Sequence, residues 1–539
     1  MAGKFKRTIA ILLAALSIAS LTACGGSGDE DEDYIKGVSA GKELTQTAAA
    51  DDIFTLNCNK GYTFNPIRAT NISNQLVCGF VYENMLDVDN SYNLKKAIIT
   101  EWSTEDGGKT WVFTVAPDRV FHSGQKVTAT DVAYSLQCAI SSERFSNRLG
   151  YVAGVTPNDS HTFTVTLNKQ NMQFPMLLTI PVIRYGSGNA NYPDGTGPYT
   201  YAGDFNSLVA FKEHPNSATL PIGTIYLKEY GSIDETMSAY EDSLIDMVLN
   251  DPSAGANLGY GNANAIRSFN TTNMHYVGIN IYSPEMANDA IRTAMNYAFD
   301  REYIVNQLAG YASEAVFPIN QASWMYNKNL AQQYDYDLKK VQEILSGAGI
   351  KDFDSDGFLE MPYGDGYAEI NLNFVVFGES AAKVNMAQHF ASEMEKLGIK
   401  VTVTKLGWEE YNAALAGGAF DLYYAEVKLN PDFDPTKLLM SGGELNYGHV
   451  SDSELDNAIT TFLTASDAER KAAAESLCVY IANNAYIVPL CFERHQLISH
   501  RGAVEGIKAN ENSPVGNSYD WTIKFENVDT SAKDDGEKN

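Results

Sequence analysis

Basic residues are scarce in this sequence. There are 39 lysines and arginines against 67 aspartates and glutamates, for a formal net charge of −28. Such a deficit excludes nucleic acid as a partner, because that binding rests on basic patches that neutralise phosphates. It also excludes a body lying flat on anionic lipid. Long hydrophobic runs are missing as well. The longest, residues 8–20, is too short to span a bilayer, which takes about 20 residues. Only six cysteines occur, none in a CxxC pair, so zinc-ribbon and thioredoxin-like chemistry are excluded. The eight histidines are scattered without metal-ligand spacing. His122 has no second ligand nearby in sequence. No HExxH, no P-loop and no dinucleotide-binding glycine fingerprint occurs, nor a Gly-x-Ser-x-Gly elbow set between a strand and a helix. No catalytic residue, metal or cofactor is therefore expected. No repeat of 20–50 residues is visible either.

The N-terminus is informative. Lys4, Lys6 and Arg7 precede the apolar run, and Leu21-Thr22-Ala23-Cys24 follows it. A basic start, a short apolar run and a small residue before the cut describe an export signal. The tetrad resembles the bacterial lipobox, whose cysteine is acylated and becomes the new N-terminus. Residues 1–23 are thus expected to be removed, with Cys24 as the lipidation site. Their loss takes the net charge from −28 to −31, since Lys4, Lys6 and Arg7 go with them. Residues 24–50 open with Ser27-Gly28-Asp29-Glu30-Asp31-Glu32-Asp33, a small and acidic stretch that reads as an extended tether. Residues 530–539 read as a frayed polar tail. The protein is expected outside the cytoplasm, lipid-anchored to the outer face of the membrane.

About 500 residues remain, enough for two or three domains. Apolar residues make up 44% of the chain, a globular level, and the 31 tyrosines and 24 phenylalanines suit a ligand cavity and sheet cores equally. Beyond Cys24, five cysteines are left: Cys58, Cys78, Cys138, Cys478 and Cys491. Five is odd, so at least one is free. The apolar strings around most of them suit buried thiols, and one disulfide of unreadable pairing stays open.

Hydrophobic periodicity outlines the elements. Strands are predicted at 53–58, 111–115, 162–167, 401–404 and 487–490. Helices are predicted at 73–86, 130–140 with Thr130 as N-cap, 289–308, 381–397 ending at Gly398, and 468–483. Asp106-Gly107-Gly108 is a hairpin turn signal, and Gly195-Thr196-Gly197-Pro198-Tyr199 is a second turn. Alternating helices and strands imply α/β layers. Asp352-Phe353-Asp354-Ser355-Asp356-Gly357 begins like a calcium loop, but position 12 is Tyr363 where the loop requires a bidentate glutamate. Glu360, at position 9, offers only a partial replacement, so no metal is assigned.

An ordered series of blocks runs along the body. It starts at Phe64-Asn65-Pro66 and Tyr82-Glu83-Asn84-Met85-Leu86. It continues through Glu101-Trp102-Ser103, Asp106-Gly107-Gly108-Lys109-Thr110-Trp111-Val112-Phe113, Val120-Phe121-His122-Ser123-Gly124 and Thr128-Ala129-Thr130-Asp131-Val132. The 195–199 turn, Ile291-Arg292-Thr293-Ala294-Met295-Asn296-Tyr297-Ala298-Phe299-Asp300-Arg301, Phe420-Asp421-Leu422 and Val488-Pro489-Leu490 complete it. Over roughly residues 51–528 the chain resembles the extracellular solute-binding proteins of ABC importers, in the family that binds peptides, dipeptides and nickel complexes.

The resemblance implies a type II, two-lobed periplasmic-binding-protein-like α/β fold of the large three-domain variety, with a ligand cleft between the lobes. Domain I would comprise residues 51–82, 183–284 and 496–529, domain II 83–182 and domain III 285–495. It implies capture of an oligopeptide or dipeptide by hinge closure, as a monomer, and delivery to permease subunits. A non-peptide solute such as a nickel complex is the alternative, with an exported hydrolase the rival from another class. The loop at Ala69, Thr70, Asn71 and Ile72 would line the cleft, its backbone pairing with an extended peptide. Thr271 and Tyr276 would line it too. In peptide-binding relatives, an aspartate in a Trp-x-x-Asp-like segment after the Phe-Asp-Leu strand pairs with the ligand's amine. Here that segment, 424–435, lacks the tryptophan, and the aspartate's place falls near Asn430-Pro431. Asp432 or Glu426 replaces it, or the ligand lacks a free amine.

Overall fold

Two long strands, Asn264–Ile279 and Ile487–His500, run antiparallel through the centre of the molecule. The computed structural model describes residues 53–252, 264–308 and 310–524. The export signal, Cys24, the tether and the 530–539 tail lie outside the described residues. Among the described residues no helix is long and apolar enough to cross a membrane.

Both strands belong to one 11-stranded sheet. On one side, Asn264–Ile279 pairs with Leu422–Lys428, and the parallel strands Asn371–Phe377 and Lys400–Leu406 lie beyond it. On the other side, Ile487–His500 pairs with Met247–Asn250, followed by Phe54–Cys58, Thr224–Glu229, Ser207–Ala210 and Tyr199–Tyr201. The register between the two long strands shifts between Asn270 and Met274. A β-irregularity there bends the strands and increases their twist, and Asn264–Ile279 takes up Leu422–Lys428 only from Asn273 onwards. A separate four-stranded antiparallel sheet is built from Ile99–Ser103, Thr110–Val115, Thr162–Leu167 and Val152–Pro157. The Asp106-Gly107-Gly108 turn joins its first two strands, and both glycines adopt positive φ.

The hydrophobic cores follow the same division. One contains Phe54, Phe80, Phe113, Phe163, Tyr199 and Trp521, joining the four-stranded sheet to the Phe54–Cys58 half of the large one. Two others are drawn almost wholly from residues 274–492, one around Tyr423 and Phe492 and one around Phe299, Phe374 and Phe390. This is the two-lobed α/β architecture the resemblance implied.

Several local expectations need correction. The 73–86 helix ends at Val81, and Leu86–Val88 is a strand. The helix read from Thr130 starts at Ala129, capped by Thr128. Thr128 and Asp131 form a capping box, with the Thr128 N–H donating to Asp131 at 2.9 Å, so the acid three residues on marks the true cap. The 289–308 helix is two helices, Asp289–Ala298 and Arg301–Gln307. Asp300 breaks it by capping the second, accepting from the Tyr303 N–H at 2.9 Å. The buried Arg301 guanidinium then donates to the carbonyls of Ala315 and Pro489 at 2.9 and 3.0 Å, which pins the break. All five cysteines among the described residues are free thiols, so the open disulfide is not formed.

Gly278 stands opposite Tyr423 across the central pairing. A β-carbon at 278 would fall inside the buried Tyr423 ring. Gly278→Ala should therefore destabilise the protein by on the order of 2 kcal/mol through overpacking. Denaturant unfolding at neutral pH measures it.

Candidate ligand-binding site

A cavity of about 310 Å³ opens where the two halves of the large sheet meet the four-stranded domain. Its walls come from every part of the chain: Pro66, Ile72 and Gln75 near the N-terminus, Arg144 and Arg148 from the four-stranded domain, Thr272 at the strand irregularity, Asn430 and Pro431 after Leu422–Lys428, and Glu511 to Ser513.

The lining is rich in positive charge for so acidic a chain. Arg144, in the turn before the short Ser146–Leu149 helix, and Arg148, within it, flank the Phe145 ring at 4.9 and 4.8 Å from its centroid. Arg144 Nη1 donates to the Pro66 carbonyl at 2.7 Å. Arg148 donates to the Thr179 hydroxyl and carbonyl at 3.1 and 2.8 Å, while its buried Nε has no partner. Neither guanidinium has a carboxylate within ion-pair distance among the described residues. Burial first, and then the neighbouring Arg144, bring the Arg148 pKa down to about 10. Both arginines remain charged at neutral pH, and an incoming anion would relieve their mutual repulsion. The acid on the wall is already engaged: Glu511 pairs with Lys428 at 2.8 Å and accepts from the Thr272 N–H at 2.9 Å. Burial alone would raise its pKa, but Lys428 holds it below the usual range.

Of the nine residues expected in the site, Ile72 and Asn430 line this cavity. Ala69 is fully buried; its N–H donates to the Asn65 carbonyl and its C=O accepts from the Gln75 amide of the following helix. Its expected strand-like pairing with a peptide is therefore taken. Thr70 is exposed and is not on the wall. Asn71 caps the following helix, accepting from Asn74 N–H at 3.1 Å. Thr271 is buried and donates to the Glu493 carbonyl at 2.9 Å; its neighbour Thr272 faces the cavity instead. Tyr276 is a core residue packed edge-on against Tyr423. Glu426 sits among His275 and Lys383, away from the wall.

Asp432, the expected amine anchor, has no exposed surface and lies behind the wall. Its carboxylate accepts from Asn171 Nδ2 and from the Asp434 N–H, both at 3.3 Å. Sequence reading missed Arg144, Arg148 and Glu511. The signal for the first two is an i,i+4 arginine pair bracketing an aromatic, with no acid at matching spacing.

A cluster of acids lies in the loop after Ile350, away from the cavity. Asp352, Asp354, Asp356 and Glu360 bring carboxylate oxygens within 4.8 Å of one another. Most of these oxygens accept backbone N–H groups of their own turn, such as Gly357 to Asp352 and Phe353 to Glu360. His122 shares a hydrogen bond with the Gly197 carbonyl at 3.0 Å. One Gly-x-Ser-x-Gly string does occur, at Gly37-Val38-Ser39-Ala40-Gly41. It falls in the stretch read as a tether, outside the described residues.

A two-lobed α/β body with a charged cavity where its parts meet defines a ligand-capturing protein. Residues 93–448 match the model of the bacterial extracellular solute-binding proteins, family 5 (middle). The chain belongs to that family, whose members are solute-binding proteins. Among curated relatives it is 22% identical over 442 residues to the oligopeptide-binding protein AppA of Bacillus subtilis, covering 75% of this chain and 77% of that one. It is also 22% identical over 450 residues to the glutathione-binding protein GsiB of Salmonella typhimurium, covering 78% and 85%. Among solved structures, HbpA2 from Haemophilus parasuis superposes with a TM-score of 0.73 at 16% identity, covering 88% of this chain and all of that one. NikZ from Campylobacter jejuni with Ni(L-His) gives 0.59 at 21% identity, covering 88% and 99%.

Burial first, and then repulsion from Asp434, push the Asp432 carboxyl up to about 7. The native state then holds a proton that the unfolded chain releases near pH 4, so this residue lowers stability as pH rises from about 4 to about 7. Asp432→Asn should remove that loss. Guanidinium unfolding at pH 5 and pH 8 should show the variant gaining on the parent by on the order of 2 kcal/mol.

Proposed function

We propose that this protein captures a small solute bearing an anionic group, an oligopeptide or dipeptide in the first reading, and delivers it to the permease subunits of an ABC importer. The observation that carries the ligand class is the pair Arg144 and Arg148, unpaired with any acid of the described residues yet set in the wall of the cavity. A peptide carboxylate supplies the missing partner, and charge-assisted hydrogen bonds of this kind contribute about 1.5–3 kcal/mol each. A metal complex carrying carboxylates, the alternative, meets the same two guanidiniums.

Capture works by hinge closure. The two long strands connect the lobes, and a ligand that touches both lobes only when they close favours the closed form by that difference in affinity alone. The body acts as a monomer, divided into domain I at 51–82, 183–284 and 496–529, domain II at 83–182 and domain III at 285–495. Acylation at Cys24 holds it at the outer face of the membrane after residues 1–23 are removed, with 24–50 as the tether. It acts without catalysis, and a purified sample that turned over a substrate would contradict this.

Native mass spectrometry of the purified protein should release a heterogeneous set of peptides; one defined mass containing a metal would establish the alternative. Calorimetry with the released ligand should show Arg144→Ala and Arg148→Ala weakening binding at least tenfold, and unchanged affinity removes the arginines from the site. Cys24→Ser should move the protein from the membrane fraction to the soluble one, as fractionation and immunoblotting will read.

A further inference from the structure

A second cluster lies off the cavity wall, on three adjacent strands of the large sheet. His275 stands directly opposite Glu426 on one neighbouring strand and opposite Cys491 on the other, where Glu493 follows two residues on. Opposed residues on one sheet face bring side chains within a few ångströms. His275 Nε2 lies 2.8 Å from Glu493 Oε1 and 3.2 Å from Glu426 Oε2, and the three groups converge within 4.8 Å. None of the three lines the ligand cavity.

The outer atoms of each group are held from behind. His275 Nδ1 bonds the buried Tyr424 hydroxyl at 2.8 Å. Glu493 Oε2 accepts from Asn273 Nδ2. Glu426 Oε1 pairs with Lys383 Nζ at 2.9 Å. The atoms left facing inward are one imidazole nitrogen and two carboxylate oxygens. This is the arrangement of a metal site whose ligands are oriented by partners one layer out. Donors at about 2.0–2.2 Å around a tetrahedral ion lie roughly 3.3–3.5 Å apart, so His275 and Glu493 would part by roughly half an ångström or a little more, His275 and Glu426 by a few tenths, and the two carboxylate oxygens, within 4.8 Å, would settle to the same spacing.

We propose that His275, Glu426 and Glu493 form a binding site for a divalent transition-metal ion of the zinc type, with a fourth position open to water. The donor chemistry sets the class. An imidazole nitrogen beside two carboxylates suits zinc, nickel or cobalt, whereas calcium and magnesium take oxygen donors alone. Charge agrees: two carboxylates face a single imidazole nitrogen and only one of them, Glu426, is offset by a lysine, Lys383. Burial agrees as well. His275 and Glu493 are each 3% exposed, while Glu426, with 42% of its side chain exposed, leaves an entry path from solvent. The ion would join three strands beside the register irregularity of the long pair. It would stabilise the fold by binding the native state alone.

The test uses the purified full chain after EDTA treatment and dialysis, titrated with the bare chloride salts of zinc, cobalt, calcium and magnesium. Calorimetry should find one zinc site per chain. Cobalt should develop the visible absorption of a low-coordinate site, and calcium or magnesium should give no heat. Glu426→Gln, on the exposed rim, should fold normally, weaken zinc at least tenfold and abolish the cobalt spectrum. His275→Asn should do the same. Arg144→Ala, which touches only the cavity, should leave both signals unchanged, so loss of zinc here is separable from loss of solute binding. Absence of zinc uptake by the parent chain overturns the site, and so does undiminished uptake by Glu426→Gln. In either case the cluster is a structural hydrogen-bond network joining three strands.

Discussion

The antiparallel pairing of Asn264–Ile279 with Ile487–His500 is the interaction on which the rest of the structure depends. Each strand is long enough to serve two halves of one sheet. The N-terminal part of the first is edged by the second alone, while its C-terminal part adds Leu422–Lys428. The change of partners falls at the irregularity between Asn270 and Met274. Backbone polar groups at such a break need partners. Here they find them in the side chains around: the Thr271 carbonyl accepts from Tyr92 and Asn320, and the Thr272 N–H donates to Glu511. Those side chains come from distant parts of the chain. Of the residues gathered there, Thr272 and Glu511 also stand on the cavity wall.

Charge adds a second constraint. A chain at −28 repels anions in general and keeps itself soluble. Two guanidiniums without an ion-pair partner among the described residues, beside a Glu511 already paired with Lys428, make one cavity locally positive in an acidic chain. Burial and Arg144 both oppose the charge on Arg148. An anionic ligand of the proposed kind would remove the opposition, and its cost would become discrimination in favour of such ligands.

Much of the architecture was legible in the sequence, because periodicity and turn chemistry are local. The strand at Thr162–Leu167, the hairpin turn at Gly107-Gly108 and the start of the Ala381–Glu395 helix are all where pattern put them. The errors came where a single cap outweighed periodicity, as at Asp300, whose carboxylate ends one helix and begins another while the apolar spacing runs on. The cavity was far less legible. Its walls are assembled from segments hundreds of residues apart, and alternation does not tell which of two neighbours faces inward. Thr271 and Thr272 differ in this way by one residue. The His275, Glu426 and Glu493 cluster escaped for the same reason, since strand pairing, and not spacing along the chain, brings it together.

The displacement of Asp432 changes how recognition is to be understood. Were its carboxylate on the cavity wall, the site would read the amine of a peptide and leave the rest of the ligand loosely specified. With Asp432 hydrogen-bonded to Asn171 behind the wall and Glu511 already paired with Lys428, no acid there is available to an ammonium group. An unpartnered buried charge is expensive, so an amine entering this cavity must stay near solvent or meet neutral acceptors. A carboxylate finds two guanidiniums waiting. In the proposed function, the polarity of recognition would then run from the acidic end of the ligand, for a peptide and for a chelate that wraps a metal in carboxylates alike.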